Sequence, residues 1–88
     1  MNNPLEVSRQ VQKLFRQALG CHQQGDFRNA EILYRQILQE VPEHPDTLHL
    51  LGVLASRIGR SKEAVELIRK AIKVYPNAAS YHNNLANA

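Results

Sequence analysis

An all-α chain of stacked helix hairpins is what this sequence predicts, and three observations carry the prediction. Shifting the 88 residues against themselves by 34 superposes Leu14 on Leu48, Gly25 on Gly59, Ala30 on Ala64, Leu33 on Leu67, Arg35 on Arg69 and Pro42 on Pro76. These identities fall on the small, apolar and turn positions that a helix–turn–helix unit needs, and a period in this range marks an array of stacked repeats. Glycine and proline interrupt the chain at hairpin spacing, and the apolar residues between them keep to one face of a helix. Two-residue alternation is missing, so strands find no support.

The elements follow in order. Asn3 and Pro4 read as an N-cap and first helical residue, because proline's fixed φ suits that place and its missing N–H is not needed there. Val7, Val11, Leu14, Phe15, Ala18 and Leu19 continue a helix that stops near Gly25. Asp26 caps the second helix, which carries Phe27, Ala30, Leu33, Tyr34, Ile37, Leu38 and Val41 and ends at Pro42. A third opens at Pro45 with Asp46 near its positive end, carries Leu48, Leu51, Gly52, Ala55 and Ile58, and stops at Gly59. Ser61 caps the fourth, with Ala64, Val65, Leu67, Ile68, Ala71, Ile72 and Val74 before Pro76. Asn77 starts a fifth segment.

Composition narrows the class further. The length allows one small domain, and 43 % hydrophobic with 22 % charged residues is ordinary for a globular chain. No run reaches the length needed to span a bilayer, and residues 1–6 lack a basic-then-apolar secretory pattern, so the cytoplasm is the expected compartment. A single Cys21 agrees, since no intrachain disulfide can form. The net charge of +3 is mild, and its densest stretch from Arg57 to Lys73 is interrupted by Glu63 and Glu66. Glu66 and Lys70 sit one helical turn apart and support each other, so this stretch reads as a solvated helix face rather than a nucleic-acid patch.

With those residues in view, the chain resembles the tetratricopeptide repeat family. The first full unit, residues 11–44, matches through Leu14, Ala18, Gly25, Phe27, Ala30, Tyr34 and Pro42. The second, residues 45–78, matches through Leu48, Leu51, Gly52, Gly59, Ala64, Ala71 and Pro76. Residues 79–88 make a partial third with Leu85 and Ala86, and residues 1–10 extend the first helix. The resemblance implies an antiparallel helix-hairpin solenoid of two 34-residue repeats and one C-terminal half-repeat helix. Ala18, Ala30, Gly52, Ala64 and Ala71 are its small crossing residues, with Tyr34 or Ile68 filling the space beside them. Gln17 stands where leucine is usual, which leaves the first helix rotated or presenting a polar edge, and Ser61 replaces an aromatic. Two units and a cap are few for such an array, so marginal stability or self-association through the open end is expected.

The family resemblance also implies that the first helix of each unit lines a concave groove for a peptide or a partner helix. The groove places fall on Gln12, Phe15, Leu19, His22 and Gln23, then Asp46, His49, Val53, Ser56 and Arg57, then Ser80, Asn83 and Asn87. Phe15, Leu19, His49, Val53, Arg57 and Asn83 are the expected contacts. A plainer alternative packs Phe15 and Leu19 beneath residues 4–10. Members that grip acidic chaperone tails use a clamp of lysines, asparagines and an arginine. Phe15, Leu19, Leu50, Ser80 and Asn84 occupy those places, so such tails are not expected as ligands. Residues 81–87 resemble units in the repeat arm of O-linked N-acetylglucosamine transferases, whose asparagine ladder holds substrate backbones. Only Asn84 matches that ladder, because Leu50 and Arg16 break it.

No active site is expected within these residues. His22, His44, His49 and His82 lack the one-turn pairing of a helical metal site, Cys21 falls at a crossing place that suits a buried thiol, and the glycines are isolated rather than grouped into a phosphate loop. No metal or other cofactor is expected. The leading expectation is a protein-binding module; the alternative is the substrate-recruiting N-terminal arm of a larger enzyme such as a glycosyltransferase. Nucleic acid is the weaker expectation for a partner, and a membrane is not expected.

Overall fold

A computed structural model describes residues 8–87. It holds five helices: α1 (Arg9–Gln23), α2 (Phe27–Glu40), α3 (Pro45–Arg57), α4 (Ser61–Val74) and α5 (Ala79–Asn87). Each packs chiefly on its chain neighbour, α1 on α2, α2 on α3, α3 on α4 and α4 on α5, as a helical-repeat solenoid requires. Side-chain contacts define two layers. α1, α3 and α5 lie along one side, joined by Phe15 against His44 and His49 against Tyr81. α2 and α4 lie along the other, joined by an ion pair between Arg35 and Glu63.

The 34-residue echo is carried into backbone geometry. Both hairpins turn on a glycine with positive φ, 81° at Gly25 and 86° at Gly59, where a Cβ would be strained. In each, the following amide returns to a carbonyl five residues back: Asp26 N–H to Cys21 and Arg60 N–H to Ala55, both 2.8 Å. These bonds satisfy carbonyls that a helix end otherwise leaves open. The connections between hairpins repeat as well, with Val41 at φ −131°, ψ 82° and Tyr75 at φ −135°, ψ 84°, each ahead of its proline.

Helix starts differ from the sequence expectation at Ser61 and Asn77. The cap expected at Asn3 and Pro4 lies outside the described residues, and α1 begins at Arg9, with Ser8 Oγ accepting the Val11 N–H at 3.1 Å. Ser61 does not cap α4 but is its first residue; Arg60 holds the cap position without a side-chain bond, its guanidinium reaching Glu31 instead. α5 begins at Ala79, because Pro76 and Asn77 form the turn. Asp26 does cap α2, accepting the Asn29 N–H at 3.3 Å.

The core runs between the layers. Tyr34, Ile37, Leu51, Leu54 and Ile68 are its largest fully buried side chains, and Ala18, Ala30, Ala64 and Ala71 are fully buried beside them. Gly52 is buried for lack of room. A Cβ built on it would meet Ile68 Cγ1 at 2.6 Å and the Ala64 carbonyl oxygen at 3.2 Å, so α3 and α4 approach at a distance only glycine permits. Gly20, also inside a helix, has nothing within 4 Å of the same construction. The two glycines should therefore respond oppositely to alanine. Gly20→Ala is expected to stabilise by about 0.5–1 kcal/mol through helix propensity. Gly52→Ala is expected to destabilise by about 1–2 kcal/mol, overpacking exceeding the same gain. Urea midpoints for both variants check the signs.

On the α2–α4 side, Glu31 accepts from Arg35 and Arg60, both at 2.8 Å, and Arg35 also meets Glu63 at 2.5 Å. The Arg35 hydrogen bond, aided by Arg60 and opposed by burial, holds the Glu31 carboxyl below its ordinary range. Exposed pairs of this kind contribute about 0–1 kcal/mol each, so this network links the two units without adding much to their stability.

Candidate partner-binding groove

The α1–α3–α5 side carries the residues expected to meet a partner. Phe15 and Leu19 lie half-buried one turn apart on α1, and Leu50 and Val53 lie half-buried on one stripe of α3. Arg57 is exposed in the last turn of α3, and Asn83 is exposed on α5. Phe15 faces His44 with ring centroids 5.6 Å apart. Beside that pair is a cavity of about 360 Å³ lined by Val11, Gln12, Phe15, Arg16, His44 and Asp46. The alternative packing of Phe15 and Leu19 beneath residues 4–10 concerns mostly residues outside the described ones.

His49 has internal partners. It is 8 % exposed, its ring stacks on Tyr81 at 4.5 Å, and its Nε2 accepts from the Asn84 amide at 2.6 Å. The Tyr81 hydroxyl donates to Asp46 at 2.5 Å. Together these four side chains pin α5 onto α3. Burial first, then the bond to Asp46, pushes the Tyr81 hydroxyl well above the ordinary tyrosine range.

His44 was not singled out as a cap, yet it caps α3. Its Nδ1 accepts the Thr47 N–H at 3.2 Å and meets the Thr47 hydroxyl at 2.7 Å. Its place in the sequence just before Pro45 was the available signal, masked because histidine is not among the usual capping residues. Tyr81 was missed for another reason. The 34-residue shift sets it against Thr47 and Lys13, so the comparison of units showed no aromatic wedge there.

The three histidines near this face share one electrostatic feature. Burial lowers His22, with Arg57 adding to the effect; burial also lowers His44 and His49, where Asp46 opposes it. All three accordingly favour the neutral ring in the folded chain, and His44 and His49 use a bare ring nitrogen as acceptor. The unfolded chain binds protons near pH 6.5 and the folded chain only below it, so stability is full above that value. It is expected to fall as pH drops from about 6.5 through the lowered folded values. Loss of the Glu31 network follows only below the ordinary carboxylate range, as a separate step. Urea midpoints between pH 8 and pH 4 check this, and a midpoint that holds or rises between pH 7 and pH 5 would sink it.

Among the described residues, no group of three or more His, Cys, Asp and Glu is placed to hold a metal ion, and no helix is long and apolar enough to cross a membrane. Cys21 is half-buried.

Comparison with known proteins agrees with this architecture. A solved structure of an O-GlcNAc transferase variant from Thermobaculum terrenum superposes on 93 % of this chain with a TM-score of 0.88 and 33 % identity, and the match takes up 16 % of that protein. The mouse N-alpha-acetyltransferase 16, NatA auxiliary subunit, is 31 % identical over 62 residues, 68 % of this chain and 7 % of its own length. The Drosophila melanogaster protein O-mannosyl-transferase Tmtc2 is 38 % identical over 60 residues, again 68 % of this chain and 6 % of its own. This chain thus spans a small part of each. A tetratricopeptide repeat model matches residues 22–88. With its paired antiparallel helices, glycine-closed hairpins and alanine crossings, the chain belongs to the tetratricopeptide repeat family, whose repeats mediate protein–protein interaction.

Proposed function

We infer that this chain is a protein–protein interaction module that holds a peptide or helix of its partner along the α1–α3–α5 groove. The observation that carries the reading is the set of half-buried apolar side chains Phe15 and Leu19 on α1 and Leu50 and Val53 on α3, with Phe15 lining a cavity of about 360 Å³. Apolar side chains left half-open on neighbouring helices are what an amphipathic ligand covers. Arg57 and Asn83 supply polar contacts at the edges, and His49 acts from below by holding Asn84 and Tyr81. A cytoplasmic setting agrees with the single cysteine.

The test is capture of partners by the chain and by a Leu19→Glu, Val53→Glu double variant shown by circular dichroism to remain helical. A partner retained by the first and lost by the second supports the groove. Equal capture by both overturns it and points to self-stacking at the open end of the array.

A second reading makes the same groove the substrate-recruiting arm of a larger enzyme. Two similar proteins favour it, one a protein O-mannosyl-transferase and one an O-GlcNAc transferase. Reading the coding sequence on both sides of these residues separates the two.

A further inference from the structure

His44 ends the connection between the two hairpins and has two roles there. Its Nδ1 caps α3, accepting the Thr47 N–H at 3.2 Å and meeting the Thr47 hydroxyl at 2.7 Å. Its ring lies against Phe15 of α1, with centroids 5.6 Å apart, and lines the cavity beside that pair. One side chain therefore starts the second unit and touches the first. The turn it caps is tied into the rest of the molecule: Thr47 is fully buried, Leu48 belongs to the core, and Asp46 accepts from Tyr81 of α5.

The four histidines of the chain differ in what protonation does to their hydrogen bonds. His82 faces the Pro76 carbonyl, which accepts from a charged ring as from a neutral one. His22 faces the Tyr34 hydroxyl, which can donate or accept, and His49 faces the Asn84 amide, which can turn its oxygen to the ring. His44 has no such alternative. A backbone N–H only donates, so Nδ1 must be bare and the neutral ring carries its proton on Nε2. The charged ring has a hydrogen on both nitrogens and cannot cap. The Thr47 hydroxyl can take the new N–H, but the amide of the same residue then loses its partner. The positive charge also falls at the positive end of the α3 dipole.

The charged groups around the ring are Arg16 of α1, which lines the same cavity, Asp46 of α3, and Glu40 and Glu43 before it in the chain. Burial outweighs Asp46 and holds the ring below the ordinary histidine value, so proton uptake needs acid solution.

We propose that His44 is a proton-operated joint between the two units: a proton on Nδ1 releases the first turn of α3 from its cap while the helices of both units persist. The joint does not depend on the groove holding a partner.

The experiment compares the 88-residue chain with His44→Asn, a good cap that does not titrate, over the titration of the His44 ring. Nitrogen-15 NMR is expected to show the Nε2–H form of the ring at pH 7.5. Protection of the Thr47 and Leu48 amides, corrected for the intrinsic effect of pH on exchange, should fall about fivefold as the ring becomes charged, the equivalent of one capping bond. Leu67 and Ile68 in α4 should change less, circular dichroism should hold, and His44→Asn should keep its protection throughout. An Nδ1–H ring at pH 7.5 overturns the proposal. So does an equal loss of protection in His44→Asn, which would assign the effect to other groups, or a loss spread evenly over all five helices, which would be global unfolding.

Discussion

Tyr34→Ala is expected to lower stability by about 3–5 kcal/mol, the range for emptying a large aromatic from a core. Tyr34 is fully buried, and its hydroxyl shares a hydrogen bond of 2.9 Å with His22 Nδ1. It stands at the crossing of α1 and α2, in the core cluster with Ala18, Ala30 and Leu51, so no single neighbour can close the cavity. Small domains hold about 5–15 kcal/mol in total, and a short array is at the low end, so much of the variant should be unfolded at 37 °C. Tyr34→Phe separates packing from polarity. It keeps the ring and removes one hydrogen bond, for an expected cost of about 1 kcal/mol. Burial, with Cys21 contributing, raises the Tyr34 hydroxyl to about 12, so it stays protonated across any ordinary buffer. Urea denaturation followed by circular dichroism reads both variants. Equal losses for alanine and phenylalanine would show that the hydrogen bond, not the ring, matters.

The second large effect is local. Tyr81→Ala removes a ring that is 4 % exposed, its stack on His49 and its bond to Asp46. The expected loss of docking energy is again about 3–5 kcal/mol. A nine-residue helix is too short to persist alone in water, so undocking α5 means melting it. Because repeats contact only their neighbours, α1 and α2 should be little affected. Amide hydrogen exchange should show residues 79–87 losing most of their protection while Tyr34 and Ile37 keep theirs. Unchanged protection in α5 would show that contacts with α4 suffice to hold it.

Both effects turn on side chains that the sequence reading treated differently. The resemblance to the tetratricopeptide repeat family implied that Tyr34 or Ile68 fills the space beside the small crossing residues, and Tyr34 is fully buried there. Tyr81 was not singled out, because its partners Asp46 and His49 come from another helix and no local spacing announces them. Ser61 makes the same point at a cap. Serine before an apolar run is good capping chemistry, but the hairpin closes on Gly59 and leaves Arg60, not Ser61, at the boundary. The groove was legible as a set of places, through the repeat period, but its division into contacts and supports was not. His49 occupies a groove place in register and is buried in the structure.

By itself, the sequence determined the helices, the hairpin turns and the two-unit period. Glycine at positive φ, proline after a helix and alanine at a crossing act through local backbone sterics and packing volume, and these repeat wherever the residues repeat. Only the tertiary structure decided which side chains meet across units: Arg35 with Glu63 at a separation of 28 residues, Arg60 with Glu31 at 29, Tyr81 with Asp46 and Asn84 with His49 at 35. Those pairings depend on how far each unit is rotated and shifted against the next. That offset is set by the summed packing of whole helix faces rather than by any short run of residues.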